Sequence, residues 1–303
     1  TKCLGSGKKG PRAEEKVTVI DELRQRYSLK VLLRVSGLSK STYSYYHCEK
    51  HLNAVKRRKE EDEHILSLIL PVFEHHKSRY GYRRIILALK EELADINHKR
   101  IQRIMNENHL FGKQPKNKYH SYKGEVGKIA ENILKRDFTA EKPFEKLTTD
   151  VTEFKVCNDK VYLSPVLDLF NREIVSYSIS LSPNLQQVRE MLADLFAKLP
   201  DTARPIFHSD QGWQYQHAEY QRLLSEHNIT QSMSRKGNCM DNGAMENFFG
   251  RLKVEMFYGE QFESVEDFIQ ALDDYIYYYN NDRISLKLKG MSPVQYRTHS
   301  QAS

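Results

Sequence analysis

Apolar residues in 18-TVIDELRQRYSLKVLLRVSGLSKSTYSYYH-47 recur at helical spacing, break at Ser36-Gly37-Leu38-Ser39 and then resume. That pattern predicts a helix, a glycine turn and a second short helix capped by Ser39. A further helical block follows in residues 60–77, 79–93 and 98–110, and residues 113–128 mix Lys, Gly, Pro, Asn and Tyr without a period, as an exposed linker does. Beyond residue 146 the pattern changes. Runs 147–156, 160–170 and 173–180 are rich in β-formers and are separated by the turns Asn158-Asp159 and Asn171-Arg172, which predicts a three-stranded meander. A helix at 184–199, a strand at 204–210, a helix at 217–228, a strand at 229–234 and a last amphipathic helix complete a mixed sheet of five strands with helices on its faces.

The last of these helices follows 238-NCMDNGAMENFFGRLKVE-255. At about 100° per residue, Met245, Phe248, Phe249, Leu252 and Met256 make one apolar stripe that faces the sheet. Glu246 borders the stripe on the same side as Gly250 and Lys253, whereas Glu255, nine residues on, projects from the opposite side. Its replacement by Gln is expected to be nearly silent. Asp241, in Met-Asp-Asn-Gly, suits an N-cap or turn. In 275-YIYYYNNDR-283 the tyrosines fall partly on the stripe Phe268, Leu272, Tyr275, Tyr279, which predicts core packing for most of them.

The chain has 303 residues, 39% of them hydrophobic, and a formal net charge of +7. That sum hides +14 in residues 1–136 and −7 in residues 137–303. The basic half fits a polyanion partner. Helix, turn and helix outline a DNA-binding helix-turn-helix whose second helix would present Lys40, Ser41, Thr42 and Ser44 to the major groove. Arg79, Arg83, Arg84, Lys99, Arg100 and Arg103 cluster at helix starts of the second block and suit phosphate contacts. No apolar run approaches the ~20 residues of a membrane span. Cys3, Cys48, Cys157 and Cys239 are scattered and read as reduced thiols. His47 and His51 of 47-HCEKH-51 have no second pair at zinc-ligand spacing downstream.

Carboxylates inside strands need a cation or a partner, which singles out Asp150 in LTTDVTEF and Asp210 at the end of IFHSD. Two carboxylates about 4 Å apart repel by roughly 4 kcal/mol at an effective dielectric near 20. Magnesium prefers a few hard carboxylate oxygens and leaves positions for phosphate. Asp168 in VLDLF suits a structural hydrogen-bonding role in its turn, and His208 and Trp213 beside Asp210 fit DNA contact or loop packing equally.

The set Asp150, Asp210 and Glu246, with 35 residues between the last two and Lys253 seven beyond the glutamate, resembles the acidic signature of the retroviral-integrase-like transposases. The stretches 148-TTDVTEF-154, 162-YLSPVLDLFNREIVSYS-178, 208-HSDQGWQY-215, 232-SMSRKGNCMDN-242 and 285-SLKLKGMSPVQYR-297 are similar to bacterial insertion-sequence transposases encoded in two overlapping frames. The match runs from about residue 17 to the end. It departs from the family pattern at Leu147, where tryptophan is usual, and at Gly243, where alanine is usual.

The resemblance implies an α/β, RNase H-like core with a mixed five-stranded sheet and flanking helices, preceded by all-α helix-turn-helix DNA-binding domains. The division expected is a tail of an upstream frame or junction at 1–16, a helix-turn-helix at 17–50 and a second helical DNA-binding domain at 51–112. A basic linker at 113–145, the catalytic core at 146–258 and a C-terminal helix and tail at 259–303 follow. It further implies that Asp150, Asp210 and Glu246 hold two Mg²⁺ ions, with Mn²⁺ able to substitute, for cleavage at transposon 3′ ends and strand transfer, while Lys253 holds a phosphate. The partners implied are double-stranded DNA, as terminal inverted repeats and target, and further copies of the chain, at least a dimer when two ends are paired. The implied location is cytoplasmic and nucleoid-associated, with no membrane. A nuclease on the same fold that cuts without joining, and a DNA-binding regulator with an inactive core, are the competing readings.

Overall fold

The computed structural model describes residues 11–113, 130–235 and 242–301. It divides into two compact units, Thr1–Pro71 and Val72–Ser303. In the first, α1 (Ala13–Leu23), α2 (Leu29–Ser36) and α3 (Lys40–Tyr46) pack around Val17, Ile20 and Tyr43, with Leu29, Leu32, Leu33, Leu38 and Tyr46 against them. The helix expected to run unbroken up to Ser36 is two helices, α2 starting after Ser28. Gly37 ends α2 at φ 66°, a left-handed conformation that a side chain would strain. Ser39 then caps α3, its hydroxyl accepting from the Thr42 N–H at 3.0 Å. Lys40, Ser41 and Ser44 are exposed on α3.

His47 leaves little for a metal: its Nδ1 faces the Tyr43 carbonyl at 2.9 Å and its Nε2 faces the Asp21 carboxylate at 3.0 Å. His51 packs on the rings of Tyr45 and Tyr46. Helix α4 (Glu49–His75) is longer than the sequence suggests, because i,i+4 pairs such as Lys56–Glu60 and Arg57–Glu61 carry its polar first half.

In the second unit α5 (Tyr82–Ala88) and α6 (His98–Glu107) precede the sheet. Strands β1 (Lys146–Thr149), β2 (Thr152–Val156), β3 (Asp159–Asp168), β4 (Ile174–Ser180), β5 (Ile206–Ser209) and β6 (Thr230–Met233) form one mixed sheet, with α7 (Leu185–Lys198) after β4 and α8 (Ala218–Glu226) between β5 and β6. Six strands are assigned where five were expected. The difference lies at Asp150: β1 and β2 both pair antiparallel with β3 in the same register, Thr149 opposite Val166 and Thr152 opposite Leu163, so they are one strand interrupted at Asp150-Val151. Five positions across the sheet remain. β1 and β5, and then β5 and β6, pair in parallel.

Strand β3 lies between β4 and the interrupted β1–β2 strand, and its residues from Leu163 onward are buried, because helices cover both faces. On one face Phe154, Leu163 and Leu167 meet α9 (Gly243–Leu252) and α10 (Val265–Asn281) through Met245, Phe249, Phe268 and Leu272. On the other, Leu147, Val166 and Phe207 meet α7 and α8 through Met191, Leu195 and Leu224. The apolar stripes expected on both of the first pair of helices are buried, Tyr275 and Tyr279 included. Helix α11 (Pro293–Gln301) closes the described chain. Among the described residues no helix is long and apolar enough to cross a membrane, and Cys48 and Cys157 are free thiols.

Candidate active site

Parallel pairing brings the two aspartates together. Thr148 lies opposite His208, and continuing that register by two residues sets Asp150 opposite Asp210, each just past the carboxyl end of its strand. Asp150 Oδ1 accepts from the Val151 N–H at 2.7 Å, and Asp210 Oδ1 from the Gly212 N–H at 2.8 Å. Burial drives the Asp150 carboxyl well above its ordinary range, and the charges of Asp210 and, more weakly, Glu246 push it further. Burial raises Asp210 as well, against the Gly212 hydrogen bond. Glu246, in the first turn of α9, is raised by burial alone.

Lys253 lies just past α9 and is 9% exposed, its ammonium 5.2 Å from the centre of the Phe154 ring. Burial lowers its pKa, and the charges of Glu153 and Asp150 pull it back up. Two further residues join this group without having been marked in the sequence. Asn242, directly before α9, accepts from the Thr148 hydroxyl at 2.7 Å and donates to the Thr149 carbonyl at 3.3 Å, tying the start of the glutamate's helix to the strand that ends at Asp150. Tyr215 stands 3.5 Å from the Thr149 hydroxyl, and burial followed by the charges of Asp150 and Asp210 pushes its phenol far up. Its position five residues after Asp210 in HSDQGWQY was the only available hint.

The remaining expectations divide. Asp168 is structural: its carboxylate accepts from the Phe144 and Phe170 N–H groups at 2.8 and 2.9 Å, and burial pushes its pKa up to about 6. His208 is buried against Ser232 Oγ at 2.9 Å, while Trp213 is 46% exposed. Asp241 lies outside the described residues. Leu147 is buried among the residues that meet α7 and α8, away from the acids' own side of the strand.

Glu255 overturns the expectation of silence. Residues Lys253–Phe257 form a π-turn, so the 100° phase that pointed Glu255 outward stops at Leu252. Glu255 is 5% exposed and its carboxylate takes two hydrogen bonds from Arg283, one from the Tyr275 hydroxyl at 3.0 Å, and the charge of Arg84 at 3.6 Å. Burial alone would raise its pKa, but Arg283 and then Arg84 hold it below the usual value.

Two arginines expected on DNA phosphates are therefore engaged inside the fold. Arg84 has a side chain only 17% exposed. Arg79 lies over the rings of Tyr275 and Tyr278, at 5.2 and 4.6 Å, and donates to the Glu255 carbonyl at 3.1 Å. Arg83, Lys99 and Arg103 are exposed, Arg103 pairing with Glu107 at 2.8 Å, and Arg100 is partly exposed.

Among the described residues no three acidic, histidine or cysteine side chains are drawn together tightly enough to form a ready-made metal cage. The donor chemistry is nonetheless that of a hard divalent cation: carboxylate oxygens only, from three separate elements, two of them buried beside each other.

Residues 140–239 match a family model described as an integrase core domain, residues 246–300 a second model of that description, and residues 60–118 an HTH-like domain. The chain is 47% identical over 282 residues to the putative transposase InsK for insertion sequence element IS150 of Escherichia coli (strain K12), covering 93% of this chain and 98% of that protein. It is 56% identical over 209 residues to an uncharacterized transposase-like protein of Haemophilus influenzae, covering 69% and 96%. Identity to transposase InsF for insertion sequence IS3A of E. coli is 31% over 290 residues, covering 95% and 100%.

Proposed function

Because the chain belongs to the bacterial insertion-sequence transposases with an integrase core domain, we propose that Asp150, Asp210 and Glu246 are the acids that make this DNA-binding polynucleotidyl transferase work. The observation that carries the reading is the parallel register of β1 and β5, which sets Asp150 and Asp210 side by side in a buried place that penalises their charge. A pair of carboxylates kept there at a cost of charge burial has a use for a cation.

The three acids would hold magnesium, as a pair of ions, with manganese able to substitute. Bound there, the metal supplies Lewis acidity for the attacking and leaving oxygens of an in-line displacement at phosphorus. The chain's own groups do the rest. Asn242 holds the start of α9 against β1, so that Glu246 is delivered toward the aspartates from a fixed origin. Lys253, near enough to feel Asp150, would offer its ammonium to a phosphate of the reacting strand. Tyr215 and Thr149 pack the floor beneath the acids and exclude water from below. The reaction proposed is 3′-end cleavage followed by attack of the freed 3′-hydroxyl on a second phosphodiester.

Lys40, Ser41 and Thr42 would read base edges in the terminal repeats, while Arg83, Lys99, Arg100 and Arg103 would position the backbone. Pairing two ends calls for at least two copies of the chain. The test is cleavage of labelled, uncut element ends and strand transfer of pre-cut ends, each with Mg²⁺. Wild type should cleave and join, and Glu246→Gln should do neither while binding DNA and melting as wild type does. Cleavage without joining would make the chain a nuclease. Full activity in the variant would show that another acid holds the metal.

A further inference from the structure

On another flank of α9 the second unit has an open cleft of about 450 Å³, walled by α9, the end of α10 and the turn at residues 285–288. Its lining includes Arg84, Arg172, Arg251, Arg283 and Lys287, and no carboxylate. Five cations around so small a space repel one another. Glu255 pairs with Arg283 and Arg84 and also feels the charge of Arg251, so one carboxylate is shared among three of these cations, while Asp168 acts on Arg172. The Arg84 Nε is buried with no hydrogen-bond partner. Burial lowers the Arg84 pKa and the charge of Arg283 lowers it further, the charge of Glu255 opposes them, and that of Arg251 adds to the fall.

We propose that this cleft is a second binding site for the phosphodiester backbone of DNA, separate from the strand held at the acids. This rests on the reading of the chain as a DNA transposase. Arg251 lies five residues beyond Glu246, about 140° further round the helix at 100° per residue, so one helix presents its glutamate to one segment of nucleic acid and its arginine to another. The volume falls in the range of ligand pockets, roughly 300–1,000 Å³, and a bare phosphate would leave most of it empty, whereas a phosphate with its sugar would not. Lys287 and Leu286 are exposed at the rim, where a continuing strand would enter. Arg251 hydrogen-bonds only its own helix, to Asn247 at 3.0 Å, and can turn to a ligand without breaking the core.

The test uses the full chain. Arginine modification by phenylglyoxal, mapped by mass spectrometry, is run alone, with duplex DNA and with pyrophosphate, beside the salt dependence of DNA binding for wild type, Arg251→Lys and the double variant Arg251→Ala/Lys287→Ala. The duplex should protect Arg251 several-fold, and the double variant should lower the slope of log K against log salt by about 2, at ~0.9 per phosphate contact. Arg251→Lys should keep wild-type affinity, showing that charge and not packing is read. Protection by pyrophosphate alone would assign the cleft to a free phosphoanion and overturn the DNA site. So would an unchanged slope with Arg251 still reactive on a chain that binds DNA. A wild-type chain that bound no DNA and moved no strand would instead sink the parent reading, and this proposal with it.

Discussion

Arg283 grips both oxygens of Glu255 with one edge of its guanidinium, Nε to Oε2 at 2.8 Å and Nη2 to Oε1 at 2.6 Å, with both side chains almost wholly buried. Breaking a buried pair from one side strands the other charge, which costs about 3–5 kcal/mol. Glu255→Gln should therefore lower the melting temperature sharply and reduce strand transfer through loss of folded protein. Chemical denaturation of wild type and variant checks this; equal midpoints would mean that Arg283 has another anion.

Asn242 is expected to act as a positioning residue. Asn242→Ala leaves the buried Thr148 hydroxyl without its partner, at about 1–3 kcal/mol. The informative readout is kinetic: at saturating DNA the rate of joining should fall more than tenfold with the DNA affinity unchanged. A loss confined to affinity would place Asn242 in DNA binding and not in the alignment of α9.

Metal removal gives the third expectation. Mg²⁺ added to chelator-treated protein should raise its melting temperature, since a ligand at 100 times its Kd adds about 2.7 kcal/mol to a folded state that alone binds it. Asp150→Asn and Asp210→Asn should each abolish the increment. Retention of the full shift in both variants would locate the ion elsewhere.

His76 stacks on Tyr80 at 3.9 Å, and burial, then the charges of His75, Arg79 and Arg84, lower its pKa to about 4. A folded-state value below the unfolded 6.5 means that the unfolded chain takes up a proton first as pH falls. The stability this histidine contributes is complete above pH 6.5 and is lost as pH falls through 4. His76→Gln should flatten the melting profile across that window. A variant with the wild-type slope would show that other groups set it.

Ser41 is exposed on α3, its hydroxyl 2.9 Å from the capping Ser39 Oγ. Ser41→Ala should narrow the gap between binding to element ends and to random duplex, with random binding little changed, because base contacts specify and phosphates position. Equal losses on both DNAs would remove α3 from base reading. Ser39→Ala, by contrast, should cost about 0.5–2 kcal/mol in stability of this unit.

Much of the site was legible because acids in apolar strands are conspicuous. Asp150 and Asp210 stand out in any reading of burial cost, and the stripe on α9 fixes the side of Glu246. What stayed hidden depended on partners far along the chain. Glu255 could not be placed without Arg283 and Arg84, and the π-turn that reorients it leaves no mark in hydrophobic spacing. Arg79 and Arg84 look, as sequence, like their neighbour Arg83; only the tyrosines of α10 and the Glu255 backbone and carboxylate distinguish an internal cation from an exposed one. The interruption at Asp150 was invisible for a similar reason, since both halves of the strand keep one register.

The same pairing of Glu255 with Arg283 orders events in time. A chain made from its N-terminus has the aspartates, the glutamate and Lys253 before it has Arg283, and until that residue appears Glu255 has Arg84 at 3.6 Å but not the two hydrogen bonds that hold its carboxylate in the core. The turn that follows the glutamate's helix thus sets only after most of the protein has been synthesised. Helices α1 to α3 are complete long before that, so the first unit can fold while the turn beside α9 still waits for its partner.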